Sequence, residues 1–404
     1  MKRTSILKFF GLLFLCLIGW LATQGIFWYR DTSAARAAQR DQDELITSII
    51  DSRRSMDIST TEIADVFDES GRVRILFIGL DKRAGQVAGH CDAIQMITID
   101  KEKDIVDITA VPRGSYSNLP PGTAVTSTDY YVSNACALGG LEYGIEQIER
   151  LIGQKADYIV VVGFSETLGI LRKLKLPTTE TLQWLRHRQG YSIGEPQRAH
   201  NHSTFIKQMV IRFIPADINK IDTALHFIIY KIINTDLTFE QVEHVIMTLS
   251  SIDLEHHPER IRLSMRPYYE VQDIPYDAEK AGEYVQSMVE PIKQWITGHG
   301  YTGTTVEEAQ AKILEIAEER KDDKEFIIWA YDNNLWFQIE DEATRLQLQY
   351  DFIDRYSEGI EDIESRKAVI ADYILEMEYY GADEWIEKGK EMLKKDVGEV
   401  IIEN

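Results

Sequence analysis

RILFIGLDKRAGQVAGHCDAIQMITID, residues 74–100, decides how this chain folds. An apolar run ends in Gly79-Leu80-Asp81-Lys82-Arg83, a glycine-bearing loop follows, and Asp92 opens a second apolar run. Short Ile-rich runs bounded by turn residues are the pattern of buried strands. From Arg72 onward RVRILFIGL, AIQMITID and IVDITAV make three such strands, with DKEKD (100–104) as the hairpin turn between the second and third. Ligands of α/β domains sit beyond the carboxyl ends of strands. Asp81 and Asp92 stand at such places, and two carboxylates can share one Mg²⁺ whose shell is completed by water and phosphate oxygens. Arg83 follows Asp81 by two residues, and the third strand ends in Val111-Pro112-Arg113. A planar guanidinium suits this setting because it grips phosphate oxygens in a bidentate way.

Downstream, Leu141, Ile145, Ile148 and Ile152 fall on one face of an amphipathic helix that stops at Gly153. DYIVVVGF reads as a fully buried strand, and SETLGILRKL as a helix opening on Ser165. Strands alternating with helices imply a layered α/β domain. Its last helix lies in AEKAGEYVQSMVEPIKQWI. In WLRHRQGYSIGEPQRAHN, Arg186 and Arg188 are read on one side of an extended segment, and Arg198 just before a helix that starts near Ser203. Beyond Gly303 strand signals vanish, and four segments with helical spacing and acidic outer faces form an all-α domain. Its charge is most simply a solvated face, with protein docking the sharper alternative. Trp329, Trp336 and Trp385 read as core residues there.

The chain of 404 residues carries 44 Lys and Arg against 66 Asp and Glu, a formal net charge of −22. Such a surface repels a nucleic-acid backbone, so no nucleic acid is expected as partner. It also makes clustered arginines informative, because an anion site has to be built against the global field. Met1-Lys2-Arg3 precedes an apolar stretch from Phe9 to Trp28. Roughly 20 apolar residues span a bilayer core, and basic residues ahead of them place the amino terminus in the cytoplasm. An uncleaved single-pass anchor is expected, with the bulk of the chain outside the cytoplasmic membrane. Three cysteines, one of them Cys16 inside that stretch, make no disulfide framework. Cys91 and Cys136 are expected as buried free thiols, an oxidised pair being the alternative. His200 and His202 are read as surface or supporting residues rather than a metal pair, and His256-His257 as a loop pair.

The order of the motifs resembles the LytR-CpsA-Psr family: GLDKR, HCDAIQM, VPRGSY, NACALGGLEYGIEQIERLIG, LRHR and EPQRAHN follow an anchor in sequence. The resemblance covers residues 72–297. It implies a layered α/β/α domain with a central mixed sheet, and an envelope phosphotransferase. Such an enzyme moves a glycopolymer phosphate from a polyprenyl-pyrophosphate carrier to peptidoglycan or another cell-wall acceptor, with Mg²⁺. By position Asp81 and Asp92 match the family's metal-side aspartates. Arg83, Arg113, Arg186, Arg188 and Arg198 match its pyrophosphate-binding arginines, and Arg113, Asp81 and Asp92 carry catalysis. A lipid chain needs an apolar tunnel, expected among the elements between residues 94 and 176. The chain departs from the pattern at His90 and Cys91, at Gly114 where a carboxylate is usual, at Tyr131 in place of lysine, at Glu195 in place of Asp, and at Asn201-His202. These departures leave a non-catalytic polyprenyl-phosphate binder or scaffold, and a pyrophosphate hydrolase, as alternatives. The resulting organisation is an anchor in 1–30, a stalk in 31–71, the α/β domain in 72–297 and the helical domain in 303–404.

Overall fold

The computed structural model describes residues 65–81, 89–126, 129–188, 191–289 and 306–402. The expected anchor, most of the stalk and Arg83 lie outside the described residues, and no helix among those described is long and apolar enough to cross a membrane. Three strands open the fold: β1 (Arg72–Asp81), β2 (His90–Asp100) and β3 (Ile105–Ala110), the last two joined through the tight turn read from DKEKD. Then come α1 (Val132–Gly139), α2 (Leu141–Ile152), β4 (Tyr158–Val162), α3 (Phe164–Lys173), α4 (Thr178–Arg186) and α5 (Gly194–Phe213). After them stand α6 (Thr223–Ile232), β5 (Asn234–Thr235), α7 (Phe239–Ser251), β6 (Ile261–Met265) and α8 (Ala281–Val289). The helical region consists of α9 (Val306–Glu319), α10 (Lys324–Asp332), α11 (Glu342–Glu358), α12 (Ile363–Tyr380) and α13 (Asp383–Ile402).

The six strands form one mixed sheet in the order β5-β4-β1-β2-β3-β6. β1 pairs antiparallel with β2 and parallel with β4, and β3 pairs parallel with β6. Alternation along β1 sets the layers, since successive side chains point to opposite faces. Leu76, Ile78 and Leu80 pack with Ile145 and Ile148 of α2 on one face, while Val73 and Ile75 pack with Val245 and Leu249 of α7 on the other. Val66 and Phe67, in the last residues of the expected stalk, are buried in this second core.

Several boundaries differ from the sequence reading. α3 is capped at Gly163 rather than Ser165, and α5 starts at Gly194, nine residues before Ser203. Pro196 does not break α5, because an amide missing in the first helical turn has no intrahelical partner to lose. Cys91 and Cys136 are joined in a disulfide with Cα atoms 6.0 Å apart, not left as thiols. The topology brings α1 over β2, and Gly144 of α2 allows the approach: a Cβ there would stand 2.3 Å from Cys136 Sγ.

The helical region shares a core with the α/β part. Phe337 reaches Gly169 of α3, where a Cβ would come within 2.6 Å of its ring. Leu168, Ile228 and Ile232 join Phe326, Trp336, Phe337 and Tyr373 in one apolar cluster, with Trp329 and Trp385 packed against it. Lys173, whose side chain is wholly inaccessible, donates to Glu376 Oε1 at 2.6 Å and to Tyr380 Oη at 2.9 Å. Burial works against its charge, and Glu376 more than compensates, so its pKa rises. Removing one partner of such a pair strands the other. Lys173→Met is expected to lower stability by about 3 kcal/mol in denaturant unfolding followed by tryptophan fluorescence, and Lys173→Met with Glu376→Leu to recover most of it. Equal losses in the single and double variants would contradict this coupling.

Candidate functional site

The site begins at an irregularity in the β1–β2 ladder. Gly79 faces Ala93 and Leu80 faces Cys91, so Asp92 is the extra residue of a bulge. A bulge re-aims the side chain it contains. Asp92 and Asp81, which pairs with His90 at the end of the ladder, line one cleft of about 740 Å³. Arg113, at the end of β3, reaches across and donates through Nη1 to Asp92 Oδ1.

Helix α5 brings the next guanidinium. Gln95 of β2 is fully buried, donating to Ala199 O at 3.0 Å and accepting from Ser203 Oγ at 2.6 Å. This polar clamp fixes α5 on the sheet three residues from Asp92. Arg198, in the first turns of α5, then donates to Asp92 O at 3.3 Å and forms an ion pair with Glu195, its Nη2 3.0 Å from Oε2, with its Nη1 3.7 Å from Asp92 Oδ2. Glu195 also meets Arg113 Nε at 3.5 Å and Arg188 Nη1, so one carboxylate joins three guanidiniums. Arg186, at the end of α4, lies 5.7 Å from the centre of the Phe164 ring. It ends a helix rather than lying in an extended segment with Arg188, because the chain leaves α4 at His187.

Asp81, Asp92, Arg113, Arg186, Arg188 and Arg198 thus all line the same cleft. Its other walls mix apolar side chains, Phe164, Leu168, Leu182 and Val285 from the α/β part and Ile313 from α9, with polar ones such as Gln183, Gln338 and Glu340. The elements between residues 94 and 176 supply only part of this apolar surface, and the strand core against α1 and α2 is filled by its own side chains. Gln95 carries no signal in the sequence as a supporting residue, while Ser203 read only as a helix start and Glu195 only as a departure from the family pattern.

Charge balance follows from this geometry. Burial pushes the Asp92 carboxyl upward, but the guanidiniums of Arg113 and Arg198 outweigh it and hold the group below the usual carboxylate range. Arg113 is desolvated, which favours its neutral form, yet Asp92 and Glu195 raise its pKa. Arg198 is pulled down, first by burial, with Glu195 and Asp92 opposing and Arg113 adding repulsion. Two carboxylates facing one cleft suit a divalent cation that takes its remaining ligands from water and phosphate. Asp92 Oδ2, 3.7 Å from Arg198, is beyond hydrogen-bond contact with it. The residues present therefore fit such an ion, although no group of three potential ligands occurs among the described residues.

The LytR_cpsA_psr family model matches residues 29–168. That is the family its motifs resemble. The matched span holds Asp81, Asp92 and Arg113, starts in the stretch read as anchor and stalk, and stops before Arg186, Arg188 and Arg198. Those three join the site through geometry alone. No curated protein matches the chain. Similar solved structures include TagV of Bacillus subtilis, at 14% identity over 55% of this chain and 99% of that one, TM-score 0.42. Protein gbs0355 of Streptococcus agalactiae matches at 12% identity over 56% and 90%, TM-score 0.41. A structure of TagT described as bound to LIIa-WTA matches at 14% identity over 55% and 92%, TM-score 0.36.

His202, on α5 behind the arginines, donates its Nε2–H to Leu185 O at 2.7 Å. Burial, reinforced by the Arg198 charge, holds its pKa down at about 4, against 6.5 for an ordinary histidine. Its folded value lies below its unfolded value, so its contribution to stability is whole above about pH 6.5 and drains away as pH falls towards about 4. The loss over that window is on the order of 3 kcal/mol. Denaturant midpoints measured from pH 7 to 4 are expected to fall for the natural protein and to flatten in His202→Leu. An unchanged slope in that variant would show that another group carries the dependence.

Proposed function

We propose that the chain transfers a glycopolymer phosphate from a polyprenyl-pyrophosphate carrier to a cell-wall acceptor such as peptidoglycan. The observation that carries this reading is the one cleft in which two aspartates and four arginines stand beside a group of apolar side chains. The family match over residues 29–168 supports it. In this reading Arg113, Arg186, Arg188 and Arg198 bind the pyrophosphate, and Phe164, Leu168 and Leu182 take the first units of the lipid. The acceptor hydroxyl oxygen forms a bond to the phosphorus that carries the glycan, and the bond from that phosphorus to the bridging oxygen breaks. Polyprenyl phosphate leaves with the bond's electron pair. Arg113 and its neighbours stabilise negative charge as it gathers on that oxygen. Asp81 and Asp92 would hold Mg²⁺, which when bound supplies further charge neutralisation at the phosphates. Asp92, held ionised between two guanidiniums, is a weak base. Asp81, on the same cleft wall as Arg113, is the carboxylate assigned to take the hydroxyl proton.

The Cys91–Cys136 disulfide supports a place outside the cytoplasmic membrane, where thiols oxidise, with the apolar stretch Phe9–Trp28 as anchor. One observation favours a second reading. At Gly114, where the family pattern carries a carboxylate, an added Cβ would meet nothing within 4 Å, so that group is missing and its space is open. This suits a binder of polyprenyl phosphates without turnover.

The test uses the full chain in detergent with a short-chain polyprenyl pyrophosphate bearing a glycan, with and without Mg²⁺ and acceptor. Acceptor-dependent turnover is expected to fall by roughly 10²-fold or more in Arg113→Ala. Gly114→Asp, entering open space, is expected to raise turnover with stability unchanged to within about 0.5 kcal/mol. Phosphate release independent of acceptor would make the chain a hydrolase. Tight binding with no turnover in either protein would leave the binder.

A further inference from the structure

A second basic recess lies between α3 and the helical region. Arg172, Lys175 and Arg345 line a cavity of about 550 Å³, and Glu340 forms the wall it shares with the Asp92 cleft. Each cation reaches it by an unusual route. Arg172 Nη1 donates to Phe337 O, and its Nη2 is buried without a hydrogen-bond partner among the described residues. Arg345 stands early in α11, the end of a helix where the backbone dipole disfavours a cation. Its Nη1 donates to the carbonyls of Ile339 and Glu340 at 3.1 and 2.8 Å, which leaves the outer part of the fork for other acceptors. Lys175 adopts a left-handed backbone with φ of 53°, a conformation in which glycine would be unstrained.

Three carboxylates, Asp222, Glu340 and Glu342, share the lining, and Glu340 acts on Arg172 at a distance, but none closes an ion pair with these cations. Glu340 accepts from Thr179 Oγ1 at 2.7 Å, and Asp222 accepts from Leu225 N at 3.0 Å to cap α6. Lys173, the fourth cation on the wall, is already committed to Glu376. Among the described residues no carboxylate forms an ion pair with Arg172, Lys175 or Arg345. Burial, with repulsion from Arg345 behind it, pulls the Arg172 pKa down to about 10. Cations at the end of α3 would by themselves be ordinary complements to a helix dipole. Arg345 and the orphaned Arg172 Nη2 do not fit that explanation, since neither is turned to the α3 carbonyls. In a chain of net charge −22, three cations without a close ion pair among the described residues stand around one recess.

We infer that Arg172, Lys175 and Arg345 form a second anion-binding site, fitted to a phosphate dianion, either free or at the end of a phosphate ester. The outer part of the Arg345 fork supplies directional donors, Lys175 a point charge at the mouth, and Arg172, its Nη2 buried without a partner, adds positive charge from behind. The site lies outside the cleft and stands without the transferase reading.

Calorimetric titration of the full chain at fixed ionic strength, with inorganic phosphate and with glycerol phosphate, tests it. In an Arg113→Ala background, which disables the cleft, one phosphate is expected still to bind. Arg345→Gln, which keeps a donor for the two carbonyls, is expected to weaken that phosphate about tenfold. Lys175→Gly is expected to weaken it severalfold while raising the thermal midpoint, because glycine relieves the left-handed strain. Weaker binding in a more stable protein separates a ligand site from a folding defect. Glycerol phosphate binding alongside inorganic phosphate would extend the site to esters. Phosphate binding that disappears with Arg113→Ala, or that ignores both Arg345→Gln and Lys175→Gly, would overturn the inference.

Discussion

Guanidiniums repel one another, and four of them around one cleft can be held only if carboxylates stand between them. Glu195 and Asp92 do this. Glu195 touches Arg113, Arg188 and Arg198, and Asp92 meets Arg113 and Arg198 from the other side. The arrangement is costly to desolvate, and it survives because nearly every charge has an opposite neighbour. It also leaves a site ready for an anion, since a guanidinium has five N–H donors and the carboxylates use only some of them. Everything that positions the cleft serves this balance: the bulge that turns Asp92, the Gln95 clamp that seats α5, and the buried neutral His202 behind Arg198.

The strands were legible because short apolar runs leave a direct mark on residue order: β1 buries Val73 and Ile75, then changes face and buries Leu76, Ile78 and Leu80. Asp81, Asp92 and Arg113 were legible for the same reason: each sits at a strand end. What the sequence hid depends on contacts between distant segments. Cys91 and Cys136 are separated by 45 residues, and only the packing of α1 over β2 makes them partners. The start of α5 was misplaced because Gly194 and Pro196 read as loop residues, whereas a first helical turn tolerates both. Glu195 drew notice only as a departure, since its role exists only once three arginines from three elements converge. The bulge at Asp92 is invisible in one dimension, because it is a property of two strands paired out of step.

The helical region bears on function through where it docks. Its acidic faces suggested a solvated surface, yet one side shares an apolar core with α3 and α6, locked by Lys173 and Glu376. That docking places Ile313 and Gln338 in the wall of the Asp92 cleft and Arg345 beside Arg172. The region is therefore part of the cleft's construction.

In the proposed function one cleft receives both the pyrophosphate and the start of a lipid chain. A crystal structure of the chain with a non-cleavable polyprenyl-pyrophosphate analogue tests it most directly. Phosphate oxygens are expected within hydrogen-bond reach of Arg113 and Arg198, with the first lipid units against Phe164 and Leu182. An analogue bound elsewhere, with the Asp92–Arg113–Glu195 network untouched, would contradict it.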